Sequence, residues 1–118
     1  MPNYSFDTGN AINMSLPQFS NLQFPGNYII MGSNYGINGF VVYNSGISYT
    51  VFELTDPNHT LQICSKLTVQ GVIATCGCED GNSYDILTGQ GQEGTNGQYL
   101  LKPYFVDVNG NIIRVYNN

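Results

Sequence analysis

Apolar residues in this chain come in short runs rich in Val, Ile, Tyr and Phe, and helical periodicity is missing throughout. Gly, Asn and Pro separate the runs at intervals of roughly ten residues, the pattern of a β-sandwich or barrel. Ile12, Met14 and Leu16 alternate with Asn13 and Ser15, which predicts a half-buried strand ending before Pro17. Tyr28–Met31 and Phe40–Tyr43 read as strands around the turn-rich 32–39 stretch, and Asn44-Ser45-Gly46 turns the chain into a strand over Tyr49–Leu54. Lys66–Val69 and Val72–Thr75 form a tight pair through Gln70-Gly71, and Tyr84–Leu87 forms another strand. At the C-terminal end Tyr104–Val108 and Ile112–Tyr116 flank Asn109-Gly110, a dipeptide suited to a type I′ turn. The expectation is an all-β, antiparallel chain with no helix beyond a turn or two. The 89–97 stretch (GQGQEGTNG) reads as a surface loop, and no internal repeat or linker divides the sequence.

The 118 residues suit a single domain with one core. A hydrophobic fraction of 42% argues against disorder, while only 9% of residues are charged. Asn, Gln, Ser, Thr and Tyr must therefore supply solubility, a style that suits extracytoplasmic β-proteins. The formal net charge is -5, and the basic residues are Lys66, Lys102 and Arg114. No basic footprint for nucleic acid can be assembled from them, nor one for an anionic membrane surface. No apolar run is long enough to span a bilayer, and no signal peptide stands at the start. Met1-Pro2-Asn3 reads as a start that follows a removed leader.

Most of the information lies in Asp56-Pro57-Asn58-His59, Cys64, and Cys76-Gly77-Cys78-Glu79-Asp80-Gly81, followed by Ser83-Tyr84-Asp85 and Leu87-Thr88-Gly89. Each fragment has an ordinary reading alone. Pro-Asn marks a turn, a lone His is usually a satisfied surface residue, and Glu-Asp is usually a solvated loop. Cys-x-Cys lacks the two-residue gap of structural zinc sites and no second pair completes four ligands, which argues against a zinc ribbon.

In order and spacing, these fragments resemble the Rieske family. There, one loop carries Cys-x-His and a second carries Cys-x-x-His, and together they hold a [2Fe-2S] cluster. The second loop continues Gly-Ser-x-Phe-Asp into a strand ending Thr-Gly, then a Pro-Leu-x-x-Tyr strand. Gly81-Asn82-Ser83-Tyr84-Asp85 and Leu87-Thr88-Gly89 match that continuation with one extra residue. Leu100-Leu101-Lys102-Pro103-Tyr104 matches the later strand, and Phe40–Tyr43 with Val51–Leu54 match those before the first loop. The likeness runs over about residues 39 to 116. It implies a Rieske-like antiparallel β-sandwich or barrel with a loop-rich sub-lobe over 55–88.

The departures fall on the ligands. By this alignment the four cluster positions are Asp56, Asn58, Cys76 and Glu79, with His59 displaced by one residue. The cluster needs two thiolates on one iron and two imidazoles on the other. Carboxylates are hard ligands with little affinity for such a centre. The resemblance therefore implies a domain that has lost its [2Fe-2S] cluster and carries no other cofactor. Two metal alternatives remain: an electron carrier with shifted ligands, and a mononuclear site built from Asp56, His59, Cys76 and Glu79. An additional Cys in each Rieske loop often forms a disulfide, which implies a Cys64–Cys78 bridge and an oxidising compartment. Three reduced, buried cysteines are the competing reading.

The expected function is non-enzymatic, a binding or structural module of the cell envelope whose polar loop tip contains Asp56, Asn58, His59, Glu79 and Asp80. Its partner is an envelope protein or ligand that the sequence does not name, and any membrane anchoring runs through a removed lipidated leader. The chain resembles bacterial members of the Rieske family with a Cys-Pro-Asn-His loop followed by Cys-Pro-Cys-Glu-Asp. A Cys76–His59 dyad can be drawn, but no oxyanion-hole motif accompanies it. The Tyr and Asn content suits carbohydrate binding, yet the chain has no Trp for stacking.

Overall fold

In a computed structural model, which describes residues 5–32, 35–79, 81–95 and 97–117, the regular elements are antiparallel strands and two 3₁₀ helices. The strands are β1 (Phe6–Asp7), β2 (Ile12–Asn13), β3 (Tyr28–Met31), β4 (Phe40–Asn44), β5 (Tyr49–Glu53), β6 (Leu67–Gln70), β7 (Ile73–Cys76), β8 (Ser83–Asp85), β9 (Phe105–Asn109) and β10 (Ile112–Asn117). One sheet runs β1-β10-β2 with β9 also paired to β10, a second runs β3-β4-β5, and a third runs β6-β7-β8. The third sheet and the 3₁₀ helix Ile63–Ser65 both fall within the 55–88 stretch. The all-β, antiparallel expectation holds.

The expected single core is divided in two, because β4 and β5 are apolar at successive positions and the middle sheet has a hydrophobic layer on each face. Phe40, Val42 and Val51 join Ile12, Phe19, Leu22, Tyr104, Ile113 and Val115 in one core. Val41, Tyr43, Phe52 and Leu54 join Leu67, Ala74, Tyr84, Ile86 and Leu101 in the other. Each fully buried aliphatic side chain stabilises the fold by about 1.5–3 kcal/mol relative to exposure. Side chains alternate across a strand, so neighbouring residues of β4 serve opposite cores.

Three local expectations need correction, the first being the β6–β7 turn: Gln70 pairs with Ile73, so its residues are Gly71-Val72 rather than Gln70-Gly71. The strand over Ile12–Leu16 stops at Asn13. The Asn13 carboxamide accepts from the Ser15 amide at 2.9 Å and from the Ser15 hydroxyl at 2.6 Å, closing a turn that competes with strand pairing. Leu16 is left exposed as the cap of a 3₁₀ helix over Pro17–Gln23 that buries Phe19 and Leu22. In the C-terminal hairpin Asn109 pairs with Ile112, so the turn residues are Gly110-Asn111 rather than Asn109-Gly110. Gly110 has φ +61° and no non-glycine residue among those described has positive φ, the demand of a type II′ turn and not of type I′. The remaining strands shift by one or two residues at their ends.

Candidate functional site

As the chain leaves β5 it carries two buried carboxylates, three residues apart. Glu53 ends the strand and is fully buried. Its oxygens accept from the Ile37 amide at 2.8 Å, the Asn38 amide at 2.9 Å, the Thr55 hydroxyl at 2.8 Å and the Tyr104 hydroxyl at 2.6 Å. Burial and the neighbouring carboxylate push the Tyr104 hydroxyl far above the usual phenol range, which keeps it a donor. The sequence reading overlooked Glu53. The signal was present: strand alternation puts it on the same face as buried Val51.

Asp56 is likewise fully buried. Its amide donates to the Ser65 carbonyl at 2.9 Å, which fixes the chain against the Ile63–Ser65 helix. The Asp-Pro-Asn sequence then forms an Asx turn, in which the Asn58 amide donates to Asp56 Oδ1 at 2.9 Å. The Tyr84 hydroxyl, from the centre of β8, makes a short hydrogen bond to the same oxygen. Asn82 Nδ2 donates to Oδ2 at 3.0 Å. Burial alone would raise the Asp56 carboxyl; the donors Tyr84, Asn58, Asn82 and the Cys76 thiol outweigh it and hold the group below the ordinary carboxylate value. Burial and Asp56 together drive the Tyr84 hydroxyl well above the usual phenol range.

Asn58 extends this network outward. Its Nδ2 donates to the Tyr84 hydroxyl and to the Tyr99 carbonyl, both at 2.9 Å, and its Oδ1 accepts from the Tyr99 amide at 2.9 Å. The 57–60 and 97–99 segments are thereby held side by side. Pro57, His59, Thr60, Gln98 and Tyr99 line the open cleft of about 680 Å³ between them. The sequence reading placed nothing functional in the 97–99 segment.

Cys64 and Cys78 form the expected disulfide, with sulfur atoms 2.00 Å apart, and three reduced cysteines are thereby ruled out as a description of this structure. Cys76 is a buried thiol outside the bridge. Its sulfur lies 3.7 Å from the Cys64 carbonyl oxygen and accepts the Cys78 amide at 3.4 Å. His59 Nδ1 lies 2.8 Å from the Thr60 carbonyl and 3.8 Å from Cys78 Sγ. A carbonyl oxygen only accepts, so in this contact Nδ1 carries the proton.

These positions revise the expected polar tip. Asp56 belongs to the interior, whereas Glu79 is exposed, Asn58 and His59 are half-buried, and Asp80 lies outside the described residues. Nor do the candidate mononuclear ligands Asp56, His59, Cys76 and Glu79 converge. Among the described residues no group of three His, Cys, Asp or Glu side chains is placed to hold a metal ion. Tyr84 and Asn82 draw Asp56 inward, while the imidazole of His59 turns to Thr60 and the disulfide. Among the described residues no helix is long and apolar enough to cross a membrane.

No family model matches the chain, and no curated protein matches it. Among solved structures, a chain of the complex of reduced oxygenase and oxidized ferredoxin in carbazole 1,9a-dioxygenase is similar to it, with a TM-score of 0.52 and 22% sequence identity. The match covers 78% of this chain and 82% of that one. At this identity the likeness concerns architecture, and the antiparallel sheets agree with it: the chain has a Rieske-like β fold.

Proposed function

We propose that this chain is a Rieske-like domain without a [2Fe-2S] cluster, acting as a non-enzymatic binding or structural module of the cell envelope. The observation that carries the reading is the buried, fully engaged Asp56 at the position of the family's first thiolate ligand. A cluster needs two thiolates and two imidazoles aimed at one outer point. Asp56 instead offers a hard carboxylate already bonded to Tyr84, Asn82 and the Asn58 amide. Turning it outward would strand several buried donors, each costing about 1–3 kcal/mol. Asn58, at the first imidazole position, is tied through both side-chain polar atoms to Tyr84 and Tyr99, and Glu79 faces solvent. Only Cys76 has the softness the iron requires.

What remains is a rigid cleft over a self-satisfied polar network. Tyr99 is exposed on one of its segments, and the bridged loop stands beside it, with Cys78 Sγ 3.8 Å from His59 Nδ1. Such a preformed surface suits recognition. The disulfide is compatible with a periplasmic, cell-surface or secreted location, where such bonds persist. Anchoring through a lipidated leader belongs to the same reading.

The test is iron and acid-labile sulfide analysis of freshly purified protein, followed by anaerobic reconstitution and electron paramagnetic resonance of the dithionite-reduced sample. The expected result is a colourless protein with no stoichiometric signal. A stoichiometric Rieske-type signal would refute the reading and restore the alternative, an electron carrier with atypical ligands. The triple variant Asp56→Cys, Asn58→His, Glu79→His should gain iron relative to the parent chain if the loop alignment is correct.

A further inference from the structure

The disulfide is set in an asymmetric environment. On one side, Cys78 Sγ faces His59 Nδ1 at 3.8 Å, and that nitrogen bears the proton now directed to the Thr60 carbonyl at 2.8 Å. On the other side, Cys64 Sγ faces the Gln62 side-chain oxygen at 3.6 Å, an acceptor that would repel a thiolate. Cys64 also sits on the exposed turn, directly after Ile63, which is 100% exposed. Both cysteines are half-buried, and the sulfur of Cys64 is the one poorly suited to bear charge. The other is backed by a hydrogen-bond donor.

We infer that Cys64–Cys78 is a thiol–disulfide exchange site, in which a small-molecule thiolate attacks Cys64 Sγ and His59 stabilises Cys78 as the leaving thiolate. The incoming sulfur forms a bond to Cys64 as the Cys64–Cys78 bond breaks, and the bonding pair departs on Cys78 Sγ. His59 Nδ1–H turns from the Thr60 carbonyl to that sulfur, so a charge-assisted hydrogen bond replaces a neutral one. A second equivalent of thiol then attacks the mixed disulfide. Cys64 is released as thiolate, and the two external thiols leave as their own disulfide. Overall two external thiols are oxidised and one protein disulfide becomes two thiols, with no further oxidant or reductant. Exchange rate depends on the leaving thiol and on which sulfur is attacked, and here both choices point the same way.

Cys76 is not the nucleophile. It is buried, its sulfur faces the Cys64 carbonyl at 3.7 Å, and its thiol serves the Asp56 carboxylate. Opening the bridge would remove the covalent tie between the Ile63–Ser65 turn and the 76–78 segment, while the contact of Cys76 Sγ with the Cys64 carbonyl remains and Asp56, Asn82 and Tyr84 stay joined. The inference does not rest on the absence of a cluster, and iron analysis of the same sample keeps the two questions apart.

The experiment treats the folded, oxidised protein with reduced glutathione at neutral pH, quenches with an alkylating tag, and locates each modification by peptide mass spectrometry. The expected result is glutathione on Cys64 and the alkyl tag on Cys78, at a rate first order in glutathione. His59→Ala should slow this native-state reaction about tenfold through the poorer leaving group, and leave the rate in concentrated guanidinium unchanged. The denatured comparison separates an effect on the reacting sulfur from a loss of structure. Glutathione on Cys78, equal native rates for the two proteins, or a rate independent of glutathione would each overturn the inference. If His59→Ala does not fold, His59→Gln provides the rate comparison, and the position of the mixed disulfide in the parent chain decides independently.

Discussion

Replacing Tyr84 with Phe removes one oxygen from the buried polar network around Asp56 and leaves the ring in place. That hydroxyl donates to Asp56 Oδ1 and accepts from Asn58 Nδ2 at 2.9 Å. A hydrogen bond to a charged group contributes about 1.5–3 kcal/mol net. Asn58 keeps the Tyr99 carbonyl as an acceptor for its Nδ2, so its loss adds little. The expected cost is about 2–3 kcal/mol at neutral pH, a large share of the 5–15 kcal/mol typical of a domain. For a chain of 118 residues this corresponds to a fall in Tm of roughly 10 °C. The pH dependence tests the cause. The folded Asp56 carboxyl lies below its ordinary value, so its stabilisation is complete above the unfolded pKa of about 3.9 and fades as pH falls through the lower folded value. Tyr84→Phe removes one source of that depression and so has less to lose in acid. Once Asp56 is protonated, only a neutral bond of about 1 kcal/mol separates the two proteins. Thermal melts followed by circular dichroism, at neutral pH and below about pH 3, should show the gap narrowing by more than half. A neutral-pH gap under about 0.5 kcal/mol, or one that persists undiminished in acid, would refute the assignment of charge to Asp56.

Three further outcomes are expected. Removing the bridge with Cys64→Ser and Cys78→Ser opens a loop with a sequence separation of 14 and should cost about 3 kcal/mol in denaturant titrations. Gly36→Ala would push its Cβ against Glu53 Oε1 and the Tyr104 hydroxyl, at a backbone φ of +68°. A cost of about 1–3 kcal/mol should appear as a lower denaturant midpoint. Asn58→Ala leaves the Tyr99 amide without its Oδ1 acceptor, so hydrogen exchange at Tyr99 should accelerate more than at the amides of β4.

Elements with strong local patterning were legible in the sequence. Phe40–Tyr43 announces itself through its apolar run, and the strands from β3 onward appear within one or two residues of their expected ends, with the β6–β7 and β9–β10 turns one residue later than expected. The turn at Asn13 was harder, because an alternating pattern and an Asx-type turn use the same residues and only the side-chain bonds to Ser15 decide between them. The site divides in the same way. The Cys64–Cys78 pairing followed from resemblance and is present. Asp56 was expected at the tip because the resemblance puts it in a former cluster loop. Its burial depends on Tyr84, which is 28 residues further along the chain, and such a partner leaves no local mark. Glu53 likewise finds Tyr104 at a separation of 51 residues.

The two-faced β3-β4-β5 sheet limits how this chain could be dismantled. Phe40 and Val42 serve one core while Val41 and Tyr43, their immediate neighbours, serve the other, so the sheet is a party wall rather than an outer one. Deleting the 55–88 segment would strip the cover from Val41, Phe52 and Leu54 and turn a shared wall into an apolar exterior. The segment that resembles a separable lobe in sequence is therefore not a cassette that can be lifted out or grafted elsewhere. The stretch that leads from β5 into it carries Glu53 for one half and Asp56 for the other, three residues apart, each gripped by a tyrosine from a distant strand or strand edge. A substitution in that shared wall therefore acts on both halves at once.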